Sequence, residues 1–263
     1  MRVGLLTGTG TYALGRAAAG PERVVTPHGD AFVTHGELAG VDLLHIARHG
    51  RGHARLSNHV SHRANIHALR HLGADCVIGV TVCGAVDPTL PVGSLVVFDD
   101  LHFLANRLSD GSLCTFYDRP EDPAKGHWIF GGPFCEEVRE ALVWACDELD
   151  VPALERGCYG HVDGPRFNSR SEVRSLALAG VTAISQTCGP EAVLCAELEL
   201  PYALVGYVTD HANGVADAPP DPEDLVRRIA ESSEVVLAVV ERALKRLDAG
   251  RLTSVGIVYR FAK

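Results

Sequence analysis

The stretch GYVTDHANG, residues 206–214, ends a strand-like apolar run on an acid, Asp210. The apolar, β-branched residues from Tyr202 to Thr209 predict a buried strand. Further runs of this kind alternate with amphipathic segments along the chain, which indicates a largely parallel sheet flanked by helices. Burial alone does not explain a carboxylate at the end of such a strand, so Asp210 is the first candidate functional residue.

The other elements follow from the same patterns. Strands are also predicted at Val3 to Leu6, Asp42 to Ala47, Cys76 to Val82, Ser94 to Phe98 and Val181 to Ser185. Helices are predicted at Asn65 to Leu72, Glu136 to Leu149, Ser171 to Leu178, Pro190 to Leu198 and Pro222 to about Leu247. Asp221 stands as an N-cap before Pro222, followed by an acidic first turn, and this makes the start of the last helix the best-defined boundary.

The composition is that of one globular domain. The chain has 263 residues, 46% apolar and 22% charged, and neither a repeat nor a low-complexity linker divides it. The net charge of −9 is scattered, and Lys and Arg form no stripe, which argues against nucleic acid or an anionic membrane as partner. Any anionic ligand is therefore expected to be a small molecule that a few local groups surround.

The cysteines predict a reducing compartment. The eight of them lie far apart, mostly inside apolar runs and without a C-x-x-C pair, as small buried hydrophobes do. The chain opens on a strand-like run, MRVGLLTGTG, and no apolar run reaches about 18 residues, the length of a membrane span. We expect a cytoplasmic protein.

Two segments have no clear place in this scheme. Residues 104–125 form a long polar and aromatic connection, and loops of that length in compact domains are often lids or oligomer contacts. The tail from 250 to 263, RLTSVGIVYRFAK after Gly250, alternates like a strand and is either a late edge strand or partly disordered.

Glycines follow the first strand in LLTGTGTY, residues 5–12. Small residues at this point let backbone N–H groups approach an anion, and the Thr9 hydroxyl would be the contact. The stretch is neither a P-loop nor a complete GxGxxG, so a simple tight turn is an equally good interpretation.

A second anion-compatible group follows the next strand, in HIARHGRGH, residues 45–53. Arg48 and His49 would lie where ligands of open α/β sheets collect, although a solvated surface loop is the alternative. His67 and His71 share a helix face nearby, but the sequence supplies no third ligand, and we expect no metal.

The strand that ends in VTVCGAVDP, residues 80–88, adds the Thr81 hydroxyl and an open backbone at Gly84. Three strand ends thus carry groups that suit an oxyanion, and their convergence is more informative than any one of them.

Five motifs in order resemble a known family. They are RHG at 48–50, RANIHAL at 63–69, VCGAVDP at 82–88, GHVDGPRFNSR at 160–170 and PEAVLCAELELPYA at 190–203. Together they are similar to the trimeric nucleoside phosphorylases, with the 5′-methylthioadenosine phosphorylases as the nearest branch, over roughly Leu5 to Asn213. The resemblance implies a single-domain, three-layer α/β/α fold with a central mixed, largely parallel twisted sheet. It also implies an enzyme that splits an N-glycosidic bond with inorganic phosphate as co-substrate and without a further cofactor.

Roles for individual residues come from the same resemblance. The positions that match the family's phosphate contacts are Thr9, Arg48, His49, Thr81, Val82 through its backbone, and Thr187. Phe167 matches an aromatic that packs on the purine, and Asp210 matches the group that hydrogen-bonds N7. His127 matches a histidine lent by a neighbouring subunit to the 5′ end of the nucleoside, which implies a homotrimer. Taken singly, Phe167 could be core, Asp210 could cap the next turn and Thr187 could cap a helix.

The chemistry explains an acid at a strand end. The departing purine carries negative charge while the ribosyl group becomes cationic, and a carboxyl whose pKa is raised by burial can protonate N7. A shared-proton carboxyl also satisfies the donor N6 and acceptor N7 of a 6-aminopurine, whereas the 6-oxopurine branch of the family has Asn at this position. Asp210 therefore favours adenosine-type nucleosides.

Departures from the family pattern leave alternatives open. The methylthioadenosine branch has a second Asp where this chain has Ala212, and Gln186 replaces a methionine that lines the ribose. Thr7 and Val82 replace smaller residues, which suggests a tighter phosphate pocket. The alternatives are a 6-oxopurine nucleoside phosphorylase in which Asn213 binds the base, and a purine-binding protein without turnover.

Overall fold

The computed structural model describes residues 1–9, 16–17, 20–218 and 221–260. The strands of these residues, numbered in chain order, are β1 (Arg2–Thr7), β2 (Arg16–Ala17), β3 (Glu22–Thr26), β4 (Gly29–Leu38), β5 (Val41–Ala47), β6 (Cys76–Ala85), β7 (Leu95–Val97), β8 (Asp100–His102), β9 (His127–Ile129), β10 (Ala153–Leu154), β11 (Cys158–His161), β12 (Ala183–Ser185), β13 (Tyr202–His211) and β14 (Ile257–Tyr259). The helices are α1 (His62–His71), α2 (Glu136–Glu148), α3 (Arg170–Leu178), α4 (Cys188–Glu197) and α5 (Pro222–Leu244).

A mixed sheet forms the centre of the molecule, with its main path in the order β10-β7-β13-β6-β1-β5-β4-β2. Its middle is parallel, because β6 pairs in parallel with both β1 and β13, and β1 pairs in parallel with β5. Antiparallel pairs form between β4 and β5, between β7 and β13, and between β12 and the carboxyl end of β6. The predicted mixed, largely parallel sheet is confirmed.

Helices cover both faces of this sheet. Along β6, Val77 belongs to an apolar cluster that includes α1 and α4, while the next residue, Ile78, belongs to a cluster that includes α2 and α5. Successive strand residues point to opposite faces, so the two clusters are the two outer layers of the sandwich. The predicted single-domain, three-layer α/β/α fold is confirmed in this arrangement.

Every predicted strand and helix occurs, with shifted ends. The strands β6 and β13 run beyond their predicted ends, to Ala85 and His211, and α5 ends three residues before the predicted Leu247. Asp221 does cap α5, since its side chain accepts a hydrogen bond from the backbone N–H of Glu223. None of the helices among the described residues is long and apolar enough to cross a membrane.

The two unplaced segments now have contacts. Arg63 of α1 donates hydrogen bonds to the carbonyls of Leu113 and Thr115, and the carboxylate of Glu197 accepts bonds from Thr115 and Phe116, which fastens the 104–125 connection to α1 and α4. The tail forms β14, which pairs antiparallel with β9, and its last three residues, 261–263, lie outside the described part. All eight cysteines are free thiols.

Candidate active site

A cavity of about 300 Å³ opens at the carboxyl ends of the central parallel strands. Ten of the eleven site residues predicted from the sequence line it, namely Thr9, Arg48, His49, Thr81, Val82, Phe167, Gln186, Thr187, Asp210 and Asn213. The eleventh, His127, lies on β9, exposed to solvent and outside the lining of this chain's own cavity. Gly10 to Tyr12 of the glycine-rich turn lie outside the described residues.

Arg48 is the most constrained of these side chains. Its side chain is 0% exposed and forms an ion pair with Glu191 of α4, with Nε 2.6 Å from Oε1 and Nη2 2.9 Å from Oε2. Nη2 also donates to the carbonyl of Leu6, and Nη1 donates to the carbonyl of Val80. Burial alone would lower the pKa of Arg48, but the Glu191 carboxylate outweighs it and raises that pKa, so the guanidinium stays charged.

One N–H of Arg48 remains for a ligand. The four bonds to Glu191, Leu6 and Val80 use the N–H of Nε, both N–H groups of Nη2 and one of the two on Nη1, and they leave the second N–H of Nη1. A Cβ at Gly8 would lie 2.9 Å from Nη1, so glycine at this position keeps open the space that the Nη1 group faces. Arg48 therefore serves as a buried structural ion that offers a single donor to the cavity.

A third buried group makes a hydrogen bond to this ion pair. Tyr202, at the start of β13, donates its hydroxyl to Glu191 Oε2 at 3.0 Å. A Cβ at Gly79 of β6 would lie 2.1 Å from that hydroxyl, so any larger residue at this position would clash with the Tyr202 side chain. Sequence reasoning missed Glu191, although an acid inside the apolar helix PEAVLCAE was a signal for it.

His49 stands beside Arg48 as a neutral ring. Its Nδ1 lies 2.9 Å from the carbonyl oxygen of Arg55, and its ring stacks on that of His53 with centroids 4.3 Å apart. Burial, and next the charge of Arg48, lower the pKa of His49 to about 4. At neutral pH the ring carries no charge.

Three hydroxyls complete this end of the cavity. Thr81 Oγ1 lies 2.9 Å from Ser185 Oγ, and Thr9 also lines the cavity. Thr187 is the residue before α4, but its side chain makes no capping bond, so the interpretation of Thr187 as a helix cap is wrong. Because Thr187 lines the cavity, the positive end of the α4 dipole lies there, which favours an anion.

The Thr7 side chain, in contrast, makes its hydrogen bond within the sheet. Its hydroxyl lies 2.8 Å from His45 Nε2, across the β1–β5 pair, and both residues are buried. Thr7 is not among the described residues that line the cavity, so the expectation that it tightens the phosphate pocket is wrong.

Asp210 faces the cavity from the end of β13. The pairing of β13 with β6 shifts register between Val208 and Asp210, and such a bulge re-aims a side chain at a strand end. Burial raises the pKa of Asp210, against the opposing effect of the Thr209 hydroxyl, which donates to Oδ1 at 2.7 Å. This is the direction that a proton donor requires.

The neighbours of Asp210 form an apolar and amide-lined wall. Phe167 is 61% exposed, so the interpretation of Phe167 as a core residue is wrong. Asn213 Nδ2 donates to the carbonyl of Asn168 at 2.8 Å, and the side chain of Ala212 is buried. The amide of Asn213 is therefore already engaged.

Gln186 is held from both sides. Ser57 donates to its Oε1 at 2.8 Å, and its Nε2 donates to the carbonyl of Arg166 at 3.1 Å. A Cβ at Gly164 would lie 2.1 Å from Oε1, so glycine there makes room for the amide. Sequence reasoning missed Ser57, and it missed Leu225 and Ile229 of α5, which line the cavity one helical turn apart.

The residues described form no metal centre. No group of three or more His, Cys, Asp or Glu side chains among them is arranged to hold a metal ion. His67 and His71 stack with ring centroids 6.4 Å apart, and His28 lies edge-on to His67 at 5.7 Å. These rings pack against one another on the surface of α1, away from the cavity lining.

The whole chain is similar to known nucleoside phosphorylases. Residues 2–245 match the Phosphorylase superfamily. The chain is 32% identical over 255 residues to the 6-oxopurine nucleoside phosphorylase of Pyrococcus furiosus, with 95% of this chain and 94% of that protein covered. It is 32% identical over 253 residues to the S-methyl-5′-thioadenosine phosphorylase of the same organism, again with 95% and 94% covered. A methylthioadenosine phosphorylase from Schistosoma mansoni, solved in complex with adenine, shares the fold with a TM-score of 0.84 at 24% identity, over 95% and 94% of the two chains.

Proposed function

The chain belongs to the phosphorylase superfamily, as a pentosyltransferase, and we propose that it splits a purine nucleoside with inorganic phosphate into free purine and a ribose 1-phosphate. The observation that carries the proposal is that the anion-compatible groups around Arg48 and the half-buried carboxyl of Asp210 open onto one cavity. A nucleoside between them meets a nucleophile at the sugar and a proton donor at the base.

The two ends act together on one bond. Phosphate, held by Arg48, His49 and the threonine hydroxyls, attacks C1′ and places negative charge beside the ribosyl cation. The C1′–N9 electron pair moves to the purine, and Asp210 donates its proton to N7. Phosphate serves as co-substrate, and no further cofactor takes part.

The preferred substrate is 5′-methylthioadenosine or a related 5′-modified adenosine. A protonated carboxyl of Asp210 donates to N7 and accepts from the N6 amino group, whereas the O6 and N7 of an oxopurine present two acceptors to it. Leu225 and Ile229 add an apolar surface to the cavity, which suits a methylthio group better than a free 5′ hydroxyl.

A 6-oxopurine nucleoside is the second candidate. Two observations favour it: Ala212 supplies no second carboxylate beside Asp210, and a 6-oxopurine phosphorylase is as similar to this chain as a methylthioadenosine phosphorylase is. In this case Asn213 would bind the base, and its amide would have to release the carbonyl of Asn168.

The assembly that we propose is a homotrimer in a reducing, cytoplasmic environment. His127 would reach the 5′ end of the nucleoside in a neighbouring subunit, which fits its exposed place on β9. Ile129 and Phe130 beside it are 54% and 46% exposed, and such apolar surface marks interfaces. Sedimentation of the purified chain tests this, since a stable monomer would contradict it.

A substrate panel tests the reaction. Methylthioadenosine, adenosine, methylthioinosine and inosine are incubated with and without phosphate, and free base is measured. We expect phosphate-dependent release that is fastest for methylthioadenosine. Equal or faster release from the oxo series would select the second candidate, and purine binding without any release would leave a binding protein.

A further inference from the structure

Among the described side chains, the two fixed charges at the phosphate end of the cavity cancel. Arg48 is the buried cation there, and Glu191 meets it through two direct contacts with its side chain 1% exposed. The other polar groups that the described residues place there are the hydroxyls and the His49 and His53 rings. As far as the described side chains go, a fully ionised oxyanion therefore meets dipoles but little uncompensated positive charge.

The tautomer of His49 follows from its partner. A carbonyl oxygen only accepts, so the Nδ1 atom that lies 2.9 Å from the Arg55 carbonyl carries the hydrogen. In the neutral ring the other nitrogen, Nε2, then has only a lone pair. A Cβ at Gly8 would lie 3.7 Å from Nε2 and 2.9 Å from Arg48 Nη1, so this acceptor and that donor flank the same space.

The surroundings of His49 keep it neutral. Burial opposes protonation most, and next the charge of Arg48, which directly follows β5. The stacked His53, on the short helical turn at 51–53, adds a smaller effect in the same direction. Burial sets the pKa of His62, a buried residue of α1, well below the ordinary value, so this neighbouring ring adds no charge beside His49. Glu191 is engaged by Arg48 and Tyr202.

We propose that His49 Nε2 accepts a hydrogen bond from a P–OH group of the bound phosphate, so that the site selects tetrahedral oxyanions that carry a hydroxyl. The proposal rests on the proposed function and names the ionic form of its co-substrate. Bare oxyanions of the same size would place an oxygen lone pair against the Nε2 lone pair.

The reaction balances with this proton in place. An unprotonated oxygen of HPO₄²⁻ attacks C1′, the C1′–N9 bond breaks, and N7 takes the proton of Asp210. The products are the hydrogen-phosphate ester of ribose, still bonded to His49 through its P–OH, the neutral purine and the Asp210 carboxylate. His49 thus determines which oxygen keeps its proton and leaves the others free to attack.

Competition between oxyanions tests the proposal with the full-length protein. Binding of phosphate and arsenate, which carry a hydroxyl near neutral pH, is compared by calorimetry with binding of fluorophosphate and sulfate, which do not. We expect the last two to bind at least about tenfold more weakly, the effect of one unmade hydrogen bond to a buried partner. Equal binding, or sulfate binding with proton uptake onto His49, would overturn the proposal.

Substitution assigns the selectivity to His49. In His49→Gln the amide can turn its N–H₂ to the anion, so the ratio of phosphate to sulfate affinity should fall toward one. His35→Gln, at an exposed histidine that pairs with Glu22, is the matched control and should keep the ratio. A ratio that survives in His49→Gln would also overturn the proposal.

The same samples separate this proposal from the proposed function. Selective oxyanion binding without release of base from any nucleoside would reject the function and keep the P–OH contact. Phosphorolysis together with equal binding of phosphate and sulfate would keep the function and reject the contact.

Discussion

Removal of the charge of Glu191 is expected to destabilise the protein strongly. In Glu191→Gln the shape of the side chain is kept, but Arg48, whose side chain is 0% exposed, loses its carboxylate partner and remains a buried cation. Loss of one partner of a buried pair costs about 3–5 kcal/mol of unfolding free energy. At about 2–4 °C of melting temperature per kcal/mol for chains of this size, the melting temperature should fall by at least about 6 °C.

The matched control is a surface pair of the same chemistry. Glu148 of α2 pairs with Arg242 of α5, and the two side chains are 42% and 36% exposed. Exposed pairs contribute about 0–1 kcal/mol, so Glu148→Gln should shift the melting temperature by no more than about 4 °C. Both variants are measured by differential scanning calorimetry at one protein concentration, because an oligomer melts in a concentration-dependent way.

A double variant separates stability from function. Arg48→Met with Glu191→Leu removes both charges, and apolar replacement of a buried pair is often neutral or stabilising. We expect the melting temperature to recover in this variant while phosphate-dependent turnover is lost, because the Nη1 donor is gone. Equal melting temperatures for Glu191→Gln and Glu148→Gln would refute the reasoning, since they would show that Arg48 does not require a buried counter-charge.

Four further predictions concern Asp210 and the apolar side of the cavity. Asp210→Asn should lower kcat for adenosine-type nucleosides by about 10²–10⁴, the usual share of a general acid, while Asp147→Asn on the exposed end of α2 should not change it. Burial raises the pKa of Asp210, so wild-type kcat should fall as pH rises through that pKa, and a flat profile would remove the carboxyl from proton donation. The folded state then holds more protons than the unfolded one, so wild type should lose stability relative to Asp210→Asn as pH rises from the ordinary aspartate pKa through the raised one. Ile229→Ser should raise KM for methylthioadenosine about fivefold, from about 1 kcal/mol of lost apolar contact, with little change for adenosine; equal changes would place the 5′ group elsewhere.

The central strands and the helices were predicted from the sequence more completely than the strands at the edges of the sheet. Strands such as β6 and β13 are continuous apolar runs because both of their faces are buried, and this pattern is local. The hairpin of β3 and β4 was missed because its exposed face mixes polar residues with Val25 and Phe32, so the sequence shows no clean alternation of apolar and polar positions. The pairing of β14 with β9 joins residues about 130 positions apart in the chain, which no local pattern reports.

The residues of the candidate site also differ in whether the local sequence could predict them. Thr9 and Arg48 were found because they follow strands, and Thr81 because it lies toward the carboxyl end of one, since parallel strands bring these ends together. The partner of Arg48 was not found, because Glu191 lies 143 residues away in an apolar helix. The occupied amides of Gln186 and Asn213 were also beyond sequence reasoning, because hydrogen-bond direction depends on carbonyls of a distant loop.

Helix α5 is divided along its length. Its buried residues all lie from Ser232 onward, packed against the sheet, while Leu225 and Ile229 in the first half contact the cavity. A nucleoside that touches these two side chains adds to the stability of turns that the core does not hold. Binding of the nucleoside and folding of the first turns of α5 are then linked. Backbone amides near residues 225–231 should exchange hydrogen more slowly once the cavity is filled, while the exchange rates of those near Val239 stay unchanged.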